Sequence, residues 1–161
     1  ALARTRSDLA RLGYVAALLE AIDQVAQERE PNVRLHDMLV GGLASVEDAN
    51  PPAVVGGFYL KLLAAEGVAP ELGVCSVCGE SPERLMWAPE TGAMRCASCG
   101  GGRVVTHETL TLSRAVLGGG LKAVLDLPDG PVVHDLEAFA SGLLEHHIER
   151  RLRAIRVLHD S

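Results

Sequence analysis

The chain has 161 residues, of which 48% are hydrophobic, a formal net charge of -6 and a pI near 5.5. This length and apolar content exclude a disordered polymer and suit one domain with a small insertion around a real core. The acidic balance excludes a surface that draws nucleic acid by overall charge, so any such contact requires a local basic patch. No signal peptide is expected from the residues given, and no apolar run among them is long enough to span a bilayer.

The chain opens helical. Ser7 is placed to cap a segment in which Leu9, Leu12, Val15, Leu18, Leu19, Ile22, Val25 and Ala26 recur at three- and four-residue steps. Glu30-Pro31-Asn32 stops it. A second helix runs through Leu35, Met38, Leu39, Leu43 and Val46. Its Gly41-Gly42 pair costs about 1 kcal/mol per glycine relative to alanine and is read as a close-packing device. After Asn50-Pro51-Pro52 a third helix carries Val54, Val55, Phe58, Tyr59, Leu62 and Leu63 and ends at Glu66-Gly67.

An extended lead, 68–73, delivers the chain to Cys75-Ser76-Val77-Cys78. Arg84 to Ala88 reads as a strand, Pro89-Glu90-Thr91-Gly92 as a turn, and Ala93 to Arg95 as the return strand. Cys96-Ala97-Ser98-Cys99 follows. All four cysteines of the chain lie in these two C-x-x-C hooks, the spacing of a four-thiolate zinc site. Each hook turns two sulfurs toward one point, and two hooks supply a tetrahedron of soft ligands. Gly79 and Gly100 sit just after the hooks, where the backbone must turn tightly.

Four thiolates close the metal's coordination, whereas a catalytic zinc keeps a position open for water, so the expected Zn2+ on Cys75, Cys78, Cys96 and Cys99 is structural and the chain is not expected to be an enzyme. Enzyme signatures agree. The zinc deaminases need proline before a C-x-x-C and H-x-E upstream, but Val74 and Arg95 precede these hooks and His147-Ile148-Glu149 lies downstream. His107-Glu108-Thr109-Leu110-Thr111 lacks the second histidine of a metalloprotease helix. Disulfides or a redox dithiol are the plainer alternatives, but nothing suggests an oxidising compartment; a reducing, cytoplasmic setting is expected.

After the glycine loop at 100–102, Val104-Val105 reads as a short strand. Ser113 is taken to cap a fourth helical segment through Ala115, Val116 and Leu117, which Gly118-Gly119-Gly120 interrupts and Leu121, Val124 and Leu125 continue. Pro128 to Pro131 is a turn. The last helix carries Leu136, Phe139, Ala140, Leu143, Leu144, Ile148, Leu152 and Ile155 on one stripe. The expected fold is all-α: a helical bundle (1–74 and 104–161) with an inserted zinc-ribbon-like β-hairpin module (75–103).

Phe58-Tyr59-Leu60-Lys61-Leu62-Leu63, Gly67, Pro70-Glu71-Leu72 and Cys75-Ser76-Val77-Cys78-Gly79 together resemble the central signature of the RecO recombination-mediator family. The second hook, Leu112-Ser113, and Glu145-His146-His147-Ile148-Glu149-Arg150-Arg151-Leu152-Arg153-Ala154 continue the same order of features. The resemblance covers the family's C-terminal helical region. The N-terminal OB-fold of the family is expected to be absent, since no run of short alternating strands could form it here. What the resemblance implies is a mediator of DNA repair and recombination that binds RecR, the tail of single-stranded-DNA-binding protein and DNA, anneals strands and assists RecA loading. DNA binding without the OB-fold is expected to be weak, and no membrane is involved. The alternative is a stand-alone zinc-ribbon DNA-binding or transcriptional regulator.

Two local sites follow. Arg150, Arg151, Arg153 and Arg156, with Arg4, Arg6 and Arg11, form a candidate phosphate-contacting patch; the plainer alternative is a solvated helix face. An acidic tail ending in an apolar residue and a free carboxylate (a property implied by the family) calls for an apolar pocket rimmed by cations, whose residues the sequence does not single out. Phe58, Trp87 and Phe139 are read as core, and His146-His147 as surface or capping groups.

Overall fold

The computed structural model describes residues 9–26, 33–48 and 51–160; of 123 and 151–160 it describes the backbone alone. Ser7, Arg4, Arg6 and the Glu30-Pro31-Asn32 stop lie outside the described residues. The helices are α1 (Leu9–Val25), α2 (Val33–Asp48), α3 (Val54–Ala65), α4 (His107–Leu117), α5 (Leu121–Leu125) and α6 (Pro131–Asp160). Between α3 and α4 lie the strands β1 (Met86–Ala88), β2 (Ala93–Arg95) and β3 (Arg103–Val104).

The fold is built around α3, whose sequence is apolar nearly all round, with Lys61 its one charged residue. A helix of that composition is stable only when surrounded. Val54, Val55, Phe58, Leu60, Leu62 and Leu63 are all buried, and α3 packs most extensively on α6, then on α4, α2 and α1. Gly56 permits the α3–α6 crossing: a Cβ there would lie 3.2 Å from the Glu137 backbone. Gly42 does the same for α2, since a Cβ would come within 2.6 Å of Leu18, while Gly41 faces open space. The expected end of α3 at Glu66-Gly67 is present, with Gly67 N–H donating to Ala64 O at 3.1 Å and Val68 N–H to Leu63 O at 3.0 Å.

α4 starts seven residues earlier than a helix capped by Ser113 would. Thr106 is its cap, accepting from the Thr109 N–H at 3.2 Å. Ser113 instead lies inside the helix, fully buried, on the face it shares with Thr109, Leu110 and Val116. The alternating Thr-His-Glu-Thr-Leu-Thr stretch has poor helix propensity, and burial against α3 and α6 overrides it. The three glycines at 118–120 do separate α4 from α5.

The three strands form one antiparallel sheet in the order β2-β1-β3. Trp87 faces Met94 across one pair and Arg103 across the other. β3 thus begins one residue before the expected Val104. Trp87, Ala88, Met94 and Leu85 are buried, so this zinc-ribbon-like module turns its apolar side to the bundle.

Candidate functional site

Each hook is shaped by its own backbone. In the first, Gly79 N–H donates to Cys75 O at 3.0 Å and Cys75 N–H to Glu80 O at 2.8 Å. In the second, Gly101 N–H donates to Cys96 O at 3.0 Å over a 3-10 turn at Ala97–Cys99. Gly79 and Gly100 take φ of 76° and 114°, left-handed values that a side chain would strain. The first hook is tied to β2 by Ser76 N–H donating to Met94 O at 2.8 Å, and to the second hook by Cys96 N–H donating to the Cys75 sulfur at 3.3 Å.

The result is a four-sulfur cluster. The ligand atoms of Cys75, Cys78, Cys96 and Cys99 all lie within 4.8 Å of one another, and Cys78 Sγ is 3.9 Å from Cys96 Sγ. A tetrahedral site with metal–sulfur bonds of about 2.3 Å has edges of about 3.8 Å, so the donor set fits a metal ion. None of the four forms a disulfide. His107, the first residue of α4, is exposed and stands outside the group. Among the described residues no other cluster of histidine, cysteine and carboxylate ligands occurs.

The protein prepares one thiolate and needs a cation for the rest. The Cys75 thiol is lowered to about 6, first by the backbone N–H of Cys78 and then by that of Cys96. The Cys99 thiol is pushed up to about 12 by its hydrogen bond with Cys96 and by desolvation. Sulfurs this close cannot all ionise until a positive charge sits among them.

Arg95 braces the site from the sheet: its Nε donates to Gly101 O at 2.7 Å and its Nη2 contacts Glu90 Oε1 at 2.5 Å. The lead into the first hook is held by Arg114 of α4, which donates to Leu72 O at 3.2 Å.

The module seats on α6 by two reciprocal insertions. The Trp87 ring fills the space over Gly142, where a Cβ would come within 2.3 Å of it. One turn on, the His146 ring lies over Gly92 in the hairpin turn, where a Cβ would come within 2.3 Å. Trp87 also meets Phe139 edge-on at 6.1 Å, and Arg103 stands 5.7 Å above its ring. Trp87, Phe58 and Phe139 are therefore core, as read from sequence. His146 and His147 are not surface groups: both are half-buried at this seam, and His147 Nε2 lies 3.8 Å from Glu66 Oε1.

Arg150 is exposed on α6 beside that seam, in a small cleft with His146 and His147. Arg151, Arg153 and Arg156 continue along the same helix, and their side chains lie outside the described residues. Arg11, on α1, is partly buried.

A feature that sequence did not localise is a groove of about 560 Å³ among α2, α3 and the α4–α5 junction. Met38, Phe58, Leu121 and Leu125 give it apolar walls, and Arg34 and Lys61 are its cations. The sequence signal was present in Lys61, a lone cation in the otherwise apolar run of α3.

The family model for the C-terminal region of recombination protein O matches residues 6–155. The protein called DNA repair protein RecO in Anaeromyxobacter dehalogenans is 33% identical over 166 residues, covering 95% of this chain and 63% of its own length. The protein of that name in Streptomyces griseus is 31% identical over 155 residues, with 93% and 62% covered. The one in Myxococcus xanthus is 30% identical over 157 residues, again with 93% and 62% covered. The chain thus spans about three-fifths of the length of the curated relatives it matches.

Proposed function

Because the chain belongs to the RecO family of DNA repair proteins, matching its C-terminal region, we propose that it is a non-catalytic scaffold on which recombinational repair proteins assemble. Cys75, Cys78, Cys96 and Cys99 hold a structural Zn2+, which neutralises the thiolates and cross-links the two hooks. The chain's own part is to aim the sulfurs, brace them with Arg95 and seat the module on α6. In this reading the protein works in the cytoplasm, where thiols stay reduced.

The groove beside Phe58 takes the acidic tail of single-stranded-DNA-binding protein. The observation that carries this assignment is its pairing of apolar walls with Arg34 and Lys61. A terminal apolar side chain would occupy the walls and the free carboxylate would face the cations. RecR binding, strand annealing and help in loading RecA belong to the same proposal. Arg150, with Arg151, Arg153 and Arg156, supplies phosphate contacts, which are weak in this acidic chain and steeply salt-dependent.

The test is fluorescence polarisation with a labelled acidic peptide ending in phenylalanine. Lys61→Glu with Arg34→Glu should weaken binding at least tenfold, and amidating the peptide's terminus should do the same. Binding indifferent to both changes would contradict the assignment. Tight, selective duplex binding at physiological salt would instead favour a stand-alone DNA-reading regulator.

A further inference from the structure

Two glycines stand side by side inside α2, and only one of them has a packing reason to be there. An internal glycine weakens a helix relative to alanine. Gly42 is required all the same, because Leu18 and Phe58 occupy the place of its side chain. Gly41 is different. A Cβ built there would meet nothing within 4 Å, and its backbone does not take the left-handed φ that favours glycine. Neither packing nor backbone conformation calls for a glycine at 41.

What Gly41 faces is the groove beside Phe58. The α2 wall of that groove is one stripe, Arg34, Met38, Gly41 and Ser45, at spacings of four, three and four residues. The first two have long side chains and the third has none. The fourth turns back on its own helix, Ser45 Oγ donating to Gly41 O at 3.1 Å. The wall is therefore recessed over the turn from Gly41 to Ser45. The Phe58 ring stands beside this recess, 3.1 Å from where a Cβ on Gly42 would lie.

We propose that the recess at Gly41 receives the terminal side chain of the bound tail and selects it by size, favouring a bulky aromatic residue. This rests on the groove being the site of an acidic peptide with an apolar end, as assigned above. Arg34 and Lys61 supply the charge that pairs with the free carboxylate, and Met38 and Phe58 the apolar flanks. A phenylalanine ring in the recess buries its surface against those flanks and against α2 backbone that the glycine leaves bare. A smaller terminal side chain leaves part of the recess empty and forfeits those contacts. Any side chain at position 41 takes up the same space, so Gly41 gains specificity at the expense of helix stability.

Position 41 thus couples stability and binding with opposite signs. Thermal unfolding and fluorescence polarisation of the metal-loaded full chain read the two, with labelled acidic peptides ending in phenylalanine or in valine as probes. The wild type should prefer phenylalanine. Gly41→Ala should raise the melting temperature by about 1–4 °C and narrow that preference. Gly41→Leu should weaken the phenylalanine-ended peptide by about tenfold or more, with a melting temperature at or above the wild-type value. A melting temperature that falls in Gly41→Ala would give the glycine a packing role and overturn the proposal. A preference for phenylalanine that is missing in the wild type, or unchanged in Gly41→Ala, overturns it too. Full binding in Gly41→Leu, while Lys61→Glu with Arg34→Glu still weakens it, overturns the proposal and leaves the groove assignment standing. Binding unmoved by the charge reversals and by Gly41→Leu alike overturns both.

Discussion

In the bundle, α3 surrenders nearly all of its side-chain surface to neighbouring helices; in the module, three strands of two or three residues enclose little beyond Trp87, Ala88, Leu85 and Met94. Apolar burial of about 25 cal/mol per Å² can hold the first. It cannot hold the second, because strands so short and so few are not stable by themselves. The module therefore depends on the sulfur cluster within and on the seat of Trp87 and His146 on α6 without. One chain thus uses two kinds of cohesion, and each can be removed with the other left in place.

The widest separation should come from the metal. Chelation, or Cys96→Ser, should abolish the module's order, since folding and binding are one equilibrium in sites of this kind. Far-ultraviolet circular dichroism should keep most of its helical signal, while Trp87, the one tryptophan of the chain, should shift its emission to the red. Helix loss in parallel with that shift would show that the regions are not separable.

Next comes the reverse experiment. Leu60 is fully buried at the centre of α3, and Leu60→Ala should cost about 2–5 kcal/mol by opening a cavity. Thermal unfolding followed by circular dichroism should register the loss, with metal content in the native protein unchanged.

The seat between the regions should be worth less. Gly142→Val places a side chain where the Trp87 ring now lies, and overpacking of this kind costs about 1–3 kcal/mol. The melting temperature should fall and Trp87 should become more exposed to acrylamide quenching, while all four thiols remain protected. The smallest effect belongs to the α4 cap: Thr106→Ala should cost about 1 kcal/mol, measurable in a urea melt.

The two regions also differed in how they could be read. Periodicity gave α1, α2, α3 and α6, because an apolar stripe at helical spacing needs only the sequence to be seen. Cysteine spacing gave the cluster, and the Pro-Glu-Thr-Gly turn gave β1 and β2. The start of α4 was misread because Ser113 looks like a cap, and only its burial against the bundle shows otherwise. The α1 stripe was only half right for a related reason: Leu9, Leu12 and Leu19 fit a helical stripe as well as Leu18 and Val25 do, yet they are exposed, because periodicity does not say which neighbour lies on which side. The seating of Trp87 on Gly142 and His146 on Gly92, and the groove beside Phe58, join residues distant in sequence. They become legible only once the helices are placed.

The claim at the centre is that Cys75, Cys78, Cys96 and Cys99 together grip one metal ion. Elemental analysis of reduced, purified protein, paired with thiol titration before and after chelation, addresses it directly. The account predicts one zinc per chain, with four thiols shielded until the chelator is added. Protein that is folded and free of metal, with all four thiols reacting at once, would contradict it.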